Sequence, residues 1–587
     1  MRNLKKYIFI GMTALLATSC SDFLDTAPKD ALSPVSTWQT QDDADKFLVG
    51  CYNNWQDQYN SGWGWDGFLL YWDGTSDFGY DQFSWEGYTP IGNGTVTASS
   101  GRDWYDFSRI RRVNELLANI DKCTMPETAK KDIMAQARWI RAYRYFLMNW
   151  NYGGVPIIES YATAEEAMVP RKSEQEVKEY IEKELDELVN DINVTPAARG
   201  RIAKGAALAL RMREALYYGD YATAKDRAEK IIALNQYELD NNYANLFNVA
   251  GQDSKEIILA VQAVENDYYN DVIGRMYNNA DGGWSSIVPS YGLIDTYEMA
   301  NGLTKDEPGS GYDPTHPFNN RDPRMAMTVI YPGCDYINGN GKEAIYNSLD
   351  KTINGASNAN FYTAADNSSK TGLTWGKYLA PMNQYPDIWN TTCQPIVFRY
   401  AEVLLTYCEA ENELNGPSAQ VYTYLNMVRN RVGMPDVDEA KYNTKEKLRE
   451  LIRRERGVEF AGEGIRRADI LRWKDASGKM LAETLLNCTL ERRVGTVSMD
   501  KSVAPGMRAT INVNASAASP GPPPAGWSIR SYISQWPPSA LCSRLSFSKA
   551  SERLSTKLEP RYLVLTSSSA ASSSGVPLWS MFPSYRR

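Results

Sequence analysis

The chain of 587 residues is 43% hydrophobic and 23% charged, a composition that can bury a sizeable globular core and a length that suggests more than one domain. A formal net charge of −8 argues against nucleic acid as a partner, because phosphate binding needs clustered basic charge, and it fits neutral or weakly charged ligands better. The single histidine, His316, removes the commonest general base and zinc ligand from almost the whole chain, so triad hydrolysis and zinc chemistry are poor readings.

The N-terminus runs Met1, Arg2, Asn3, Leu4, Lys5, Lys6 and then an apolar stretch from Tyr7 to Ala17. That order is a secretory signal, too short to span a bilayer as a mature helix. It stops at Ala17-Thr18-Ser19-Cys20, small residues before a cysteine, where a bacterial lipoprotein is cleaved and acylated. Residues 1–19 are therefore expected to be a signal peptide, with Cys20 as the lipid anchor. Ordinary cleavage with an incidental Cys20 is the alternative; either way the protein is exported. No later segment approaches the ~20 uninterrupted apolar residues of a membrane helix, so attachment to a membrane rests on acyl chains. The other cysteines are scattered without CxxC spacing and read as buried small hydrophobes.

Helical periodicity dominates from Thr128. Ile133, Ala137, Ile140, Phe146, Leu147 and Trp150 form one apolar stripe, stopped by Gly153-Gly154-Val155-Pro156. Ser173 followed by Glu176 makes a capping box ahead of Val177, Ile181, Leu185, Leu188 and Ile192, a second helix expected to pack on the first. Residues 201–218, a turn at Gly219-Asp220-Tyr221, and residues 222–234 give another pair; residues 398–414, a break at Asn415-Gly416-Pro417, and residues 419–432 repeat the layout. Helix pairs of this length are the unit of tetratricopeptide-like stacks, here degenerate and interrupted. Two stretches, about 59–103 and 240–395, lack the period and are loaded with Gly, Asn, Asp, Trp and Tyr; loops that long are usually functional.

Several segments, in order, resemble the SusD/RagB family of outer-membrane glycan-binding lipoproteins. After the anchor these are Ser21-Asp22-Phe23-Leu24-Asp25, Pro28, Leu32-Ser33, Trp38, Asp42-Asp43-Ala44 and Gly50-Cys51-Tyr52. Then come the run from Arg138 to Trp150 with Tyr152-Gly153-Gly154-Val155-Pro156, and Asp295-Thr296-Tyr297-Glu298, Asn301-Gly302 and Asn320-Arg321-Asp322-Pro323-Arg324. Ala401-Glu402-Val403-Leu404-Leu405 with Glu409-Ala410 follows, and finally Glu455-Arg456-Gly457-Val458-Glu459-Phe460, Gly462-Glu463-Gly464, Arg466-Arg467 and Asp469-Ile470-Leu471-Arg472-Trp473. The resemblance covers about residues 1–475. It implies a mostly α fold of tetratricopeptide-like helix pairs with long irregular aromatic-rich loops forming a ligand face over residues 20–475. It implies glycan capture without hydrolysis, no cofactor, and a seat on a SusC-like TonB-dependent outer-membrane barrel. Residues 476–514 match weakly. Residues 515–587 are Ser, Ala and Pro rich and turn basic; a disordered tail and a shifted reading frame are the two readings, and no function is placed there.

The densest aromatic cluster runs from Tyr59 to Tyr88 and is interleaved with acids. A sugar presents an apolar C–H face and a rim of hydroxyls, so rings beside carboxylates and amides are what its capture requires. Trp63, Trp65, Trp72, Asp73 and Trp85 are the candidates there; the competing reading is that these rings pack the loop's own core or the interface with the barrel. Trp284, after Gly282-Gly283, with Tyr291 and the nearby Tyr268, Tyr269 and Tyr277, is the second group; Trp375 and Trp389 are the third. Glu455, Glu459, Glu463 and Asp469 could be paired carboxylates of a glycoside hydrolase, but their spacing with arginines reads as an ion network. Asp322 and Arg324 read as loop-fixing residues. Asp335, Asn338, Asn340 and Glu343 fit no strict calcium pattern and read as a turn. A scaffold that binds peptide or protein on the helix pairs is the remaining alternative.

Overall fold

Thr40 opens the first helix, its side chain accepting from the Asp43 amide while Asp43 reaches back to Thr40. The computed structural model describes residues 38–53, 55, 70–92, 106–160, 168–486 and 490–515, all within one compact unit. Cys20, Trp63, Trp65, the signal segment and the chain from 516 onward lie outside the described residues. The longer helices are α1 (Gln41–Tyr52), α2 (Ser108–Asn119), α3 (Glu127–Tyr152), α4 (Glu174–Leu188), α5 (Lys204–Tyr217), α6 (Tyr221–Ala233), α7 (Tyr400–Asn415), α8 (Ala419–Asn430), α9 (Lys445–Phe460) and α10 (Arg466–Arg472).

Their ends follow the sequence signals. α3 stops at Gly153, whose φ of 63° closes the last turn as only glycine does cheaply. The Ser173–Glu176 box starts α4 and holds the Glu176 carboxyl down at about 2, chiefly through the Ser173 amide. Gly219, at φ 77°, turns α5 into α6, and Asp220 caps α6 through the Thr223 amide. Gly205 lets Tyr237 lie on α5, where a Cβ would come 2.0 Å from the phenol oxygen. α3 is buried on nearly every side, packed by α1, α2 and α4, and its Trp139 and Ile140 share one core with Leu208, Leu404 and Leu451. Each such fully buried aliphatic side chain stabilises by roughly 1.5–3 kcal/mol relative to exposure. The protein is mostly helical with no closed sheet.

The stretch 240–395 differs from the expectation of irregular loops. It builds a second core, in which Tyr243, Phe247, Tyr277, Tyr297, Phe318, Tyr346, Trp375 and Tyr378 are buried, threaded by short helices and two-stranded sheets. Residues 490–515 join it: the strand Gly495–Val497 pairs with Ala509–Ile511, and Val497, Ala509 and Ile511 are buried in that core. The Asp335–Glu343 segment is a hairpin, Asp335–Ile337 against Glu343–Ile345, with Asn338 accepting from the amides of Asn340 and Lys342. Cys51, Cys123, Cys334, Cys393 and Cys408 are free and buried. Among the described residues no helix is long and apolar enough to cross a membrane.

A buried ion network joins the two cores. Arg324 Nη1 meets Glu455 at 3.0 Å and Glu459 at 3.1 Å, and its Nη2 meets Asp322 at 2.6 Å. Arg399 meets Glu256, Glu459 and Glu463, each at 2.7 Å; Arg431 meets Glu459 and Glu256; Lys377 meets Glu463 at 2.8 Å. Asp469 and Glu409 are shared by Arg456 and Arg472. Burial alone would raise these carboxyls, and the guanidiniums overcome it. Arg431, Arg399 and Arg324 hold Glu459 far below the ordinary range, and Glu409, Glu455, Glu463 and Asp469 are depressed by the same cause.

Other carboxyls move the opposite way. Burial pushes Asp73 and Glu214 up to about 7, and Asp81 and Asp271 up to about 6. Their folded values exceed the unfolded values near 4, so protonating them between about pH 7 and pH 4 favours the folded state. The depressed group contributes stability above its unfolded pKa and loses it as pH falls below about 4 towards its folded values. The thermal midpoint is thus expected to peak between about pH 4 and pH 6 and to drop steeply below. Scanning calorimetry across that span tests it; a maximum above neutrality would refute the assignment.

Candidate functional site

Two loops distant in sequence are brought together by a short ladder, Gly79–Asp81 antiparallel to Ile287–Pro289, with Tyr80 opposite Val288. Just beyond it the Asp81 carboxylate accepts from the amides of Phe83, Tyr88 and Thr89 and from the Thr89 hydroxyl. That fixes a tight loop whose 3-10 turn, Ser84–Glu86, ends on Gly87 at φ 86° and pushes Trp85 outward, 55% exposed. Phe83 stacks against Trp85 at 5.7 Å and 21°. Trp85 meets Trp284 edge-on at 5.9 Å and 78°, and Trp284 meets Trp389 at 4.8 Å and 58°. Trp284 and Trp389 are half-buried. The result is an angled indole platform at the surface.

One short helix, Val272–Met276, supports two of its rings. Gly274 lies flat under Trp389, where a Cβ would come within 2.4 Å of the indole. Its amide donates to the Ile388 carbonyl at 3.0 Å and its carbonyl accepts from the Trp284 amide at 2.9 Å. The next residue, Arg275, sets its guanidinium 5.2 Å from the Trp284 ring centre. Arg275 is itself buried, held by Asp271 at 2.8 Å and facing Glu86 at 3.7 Å, while Glu86 accepts from the Ser286 hydroxyl at 2.9 Å. Two indoles thus have one face covered by protein, and a cation–π contact of this kind contributes about 0.5–2 kcal/mol to holding Trp284 in place. What such a platform does chemically is stack against flat apolar faces carried by otherwise polar molecules.

The other sequence candidates fall elsewhere. Trp72 is half-buried with its edge to Tyr88 at 6.1 Å. Asp73 is fully buried and accepts from the Gly464 amide at 3.1 Å, pinning its segment to the turn between α9 and α10. Tyr291 is 2% exposed, with the Arg493 guanidinium 4.1 Å from its ring centre. It borders a separate cleft of about 420 Å³ that includes Asp77, Asp81, Ser290, Asp295 and Arg466. Polar groups there are largely spent on one another: Asp77 takes both Arg466 nitrogens at 2.9 and 2.8 Å, and the Ser290 hydroxyl donates to the Asp77 carbonyl at 2.5 Å. Trp375 is core. Of the named candidates, the structure brings together Trp85 and Trp284, and with them Trp389. Gly274, Arg275 and Glu86 carried no signal in the sequence beyond the glycine itself. Tyr268, from the second group, is 61% exposed on a neighbouring hairpin, and Tyr277 is buried.

The carboxylates considered for glycoside cleavage, Glu455, Glu459, Glu463 and Asp469, are each at most 3% exposed and saturated by arginine and lysine. Asp322 caps the helix Pro323–Thr328 through the Arg324 amide, the loop-fixing geometry its spacing suggested.

A family model described as the SusD family matches residues 255–485, and one described as starch-binding associating with outer membrane matches residues 22–214. A SusD-like protein P25 from Formosa agariphila is 27% identical over 508 residues, covering 81% of this chain and 90% of its own. A SusD-like protein from Bacteroides ovatus is 25% identical, with 80% and 82% covered. The crystal structure of a SusD-like carbohydrate binding protein from Bacteroides fragilis superposes with a TM-score of 0.68 at 27% identity, covering 81% of this chain and 94% of that one. With both parts of the chain matched in order by these models and the fold shared with a SusD-like structure, the chain belongs to the SusD/RagB family.

Proposed function

We propose that the protein is a surface lipoprotein that captures glycan on the platform of Trp85, Trp284 and Trp389 and delivers it to a SusC-like TonB-dependent transporter, without cleaving it. Three surface indoles, two of them braced from behind by Gly274 and Arg275, are the observation that carries the reading. Bracing reduces the entropy lost when a ligand orders the site. The membership in a family of carbohydrate-binding proteins supports it, and the four carboxylates weighed for cleavage, Glu455, Glu459, Glu463 and Asp469, are instead engaged by arginine and lysine. Acylation of Cys20 would hold the protein on the outer membrane, in keeping with the family description.

Affinity electrophoresis against soluble neutral polysaccharides tests the reading. Trp85→Ala and Trp284→Ala are each expected to weaken retardation by about tenfold to hundredfold, the usual loss when a central aromatic contact is truncated. A polysaccharide that retards both variants as strongly as the parent protein binds somewhere other than this platform.

A further inference from the structure

The turn carrying Trp389 is fastened to a second loop. Val264 and Tyr268 exchange two backbone hydrogen bonds of 2.9 Å, closing a hairpin with Glu265, Asn266 and Asp267 at its tip and Asn266 at φ 69°. At its base Asn270 and Thr391 exchange two more, at 2.9 and 3.0 Å. Across the top the two asparagines pair: the Asn266 amide donates to Asn390 Oδ1 at 2.9 Å, and Asn390 Nδ2 donates to Asn266 Oδ1 at 2.7 Å. Asn390 follows Trp389 directly, and residues 264–268 are all exposed.

The backbone pairs at both ends already close this hairpin, and an exposed amide pair adds little to stability because water competes for it. Its value lies in what it leaves over. A carboxamide offers two N–H groups and an oxygen with two lone pairs; these bonds leave both side-chain N–H groups of Asn266 and one of Asn390 for other partners. Fixed donors beside an indole edge are what a stacked pyranose presents its ring hydroxyls to.

We infer that the Asn266–Asn390 pair is the specificity-determining rim of the platform, hydrogen-bonding the hydroxyls of the sugar stacked on Trp389. This rests on the indoles being the glycan site. The ligand class it selects is a glycan whose unit on Trp389 carries free, unsubstituted hydroxyls; O-alkylated units are rejected because the alkyl group keeps the ether oxygen from approaching the amide N–H groups closely and removes the hydroxyl proton that the free lone pairs of Oδ1 would accept.

The test is affinity electrophoresis in gels containing soluble starch, laminarin, xylan or galactomannan, each beside its partly O-methylated derivative, with thermal melts run on every variant. Asn390→Ala and Asn266→Ala are expected to weaken binding of the native polymer about tenfold, with an unchanged melting temperature, and to erase the preference for native over methylated polymer. That loss of discrimination is the signature a merely structural pair would not give. If Trp284→Ala abolishes retardation but both asparagine variants keep the parent's affinity and preference, the rim is overturned and the platform stands. If no polymer retards the parent protein, both readings fall.

Discussion

Replacing Glu459 by Gln is expected to destabilise the fold by about 3–5 kcal/mol, the usual cost of leaving a buried ion partner uncompensated. Glu459 is completely buried at the end of α9, where its carboxylate faces Arg324, Arg399 and Arg431. Its backbone carbonyl also accepts from Tyr243, Lys377 and Arg399, so the residue ties helix α9 to the second core. Gln keeps the shape and removes the charge. Arg324, Arg399 and Arg431 then each lose one charged partner at a position buried from solvent. The pair Glu450–Arg453, 3.4 Å apart with Glu450 68% exposed over a half-buried Arg453, is the control: Glu450→Gln is expected to change stability by less than about 0.5 kcal/mol. Urea unfolding followed by circular dichroism measures both. A loss under about 1 kcal/mol for Glu459→Gln would mean the network relaxes around the missing charge and does not hold the cores together.

How far this arrangement was legible depended on the range of the interaction. The helices could be read because their signals are local: the Ser173–Glu176 box, the glycines at 153, 219 and 416, and apolar residues three and four apart. The arginine network was legible as a network because Glu455 and Glu459 recur at helical spacing, but Arg399 and Arg324 lie 60 and 135 residues from Glu459, and neither they nor Glu256, which shares Arg399, are marked by anything local. Aromatic density misled for a related reason. It points to loops that carry exposed rings, yet Tyr277, Tyr291 and Trp375 lie in the second core, since composition does not say which side of a loop faces in. Asp73 reads as a sugar acceptor because it stands among the rings of the aromatic cluster, whereas its carboxylate faces the turn after α9. Trp284 was singled out by the glycines before it; Gly283 indeed lets the chain lie on the Tyr277 carbonyl, where a Cβ would come within 2.3 Å. Trp389 reaches Trp284 only because the fold brings residue 388 back onto residue 274.

That last contact gives the most specific expectation for the site. In Gly274→Ala the added methyl would fall 2.4 to 2.6 Å from three atoms of the Trp389 indole. The backbone cannot retreat without breaking the hydrogen bonds that Gly274 makes to Ile388 and Trp284, so the ring has to swing away and its contact with Trp284 is lost. The protein is expected to lose about 1–3 kcal/mol of stability from overpacking and to bind glycan about tenfold to hundredfold more weakly, as Trp389→Ala does. The two changes act through one ring, so the double variant should bind no more weakly than either single one, a non-additivity that independent defects would not produce. Tryptophan fluorescence should report the displaced indole in Gly274→Ala before any ligand is added. Unaltered binding in a variant with altered fluorescence would show that Trp389 is no part of the glycan site, and would reduce the platform to Trp85 and Trp284.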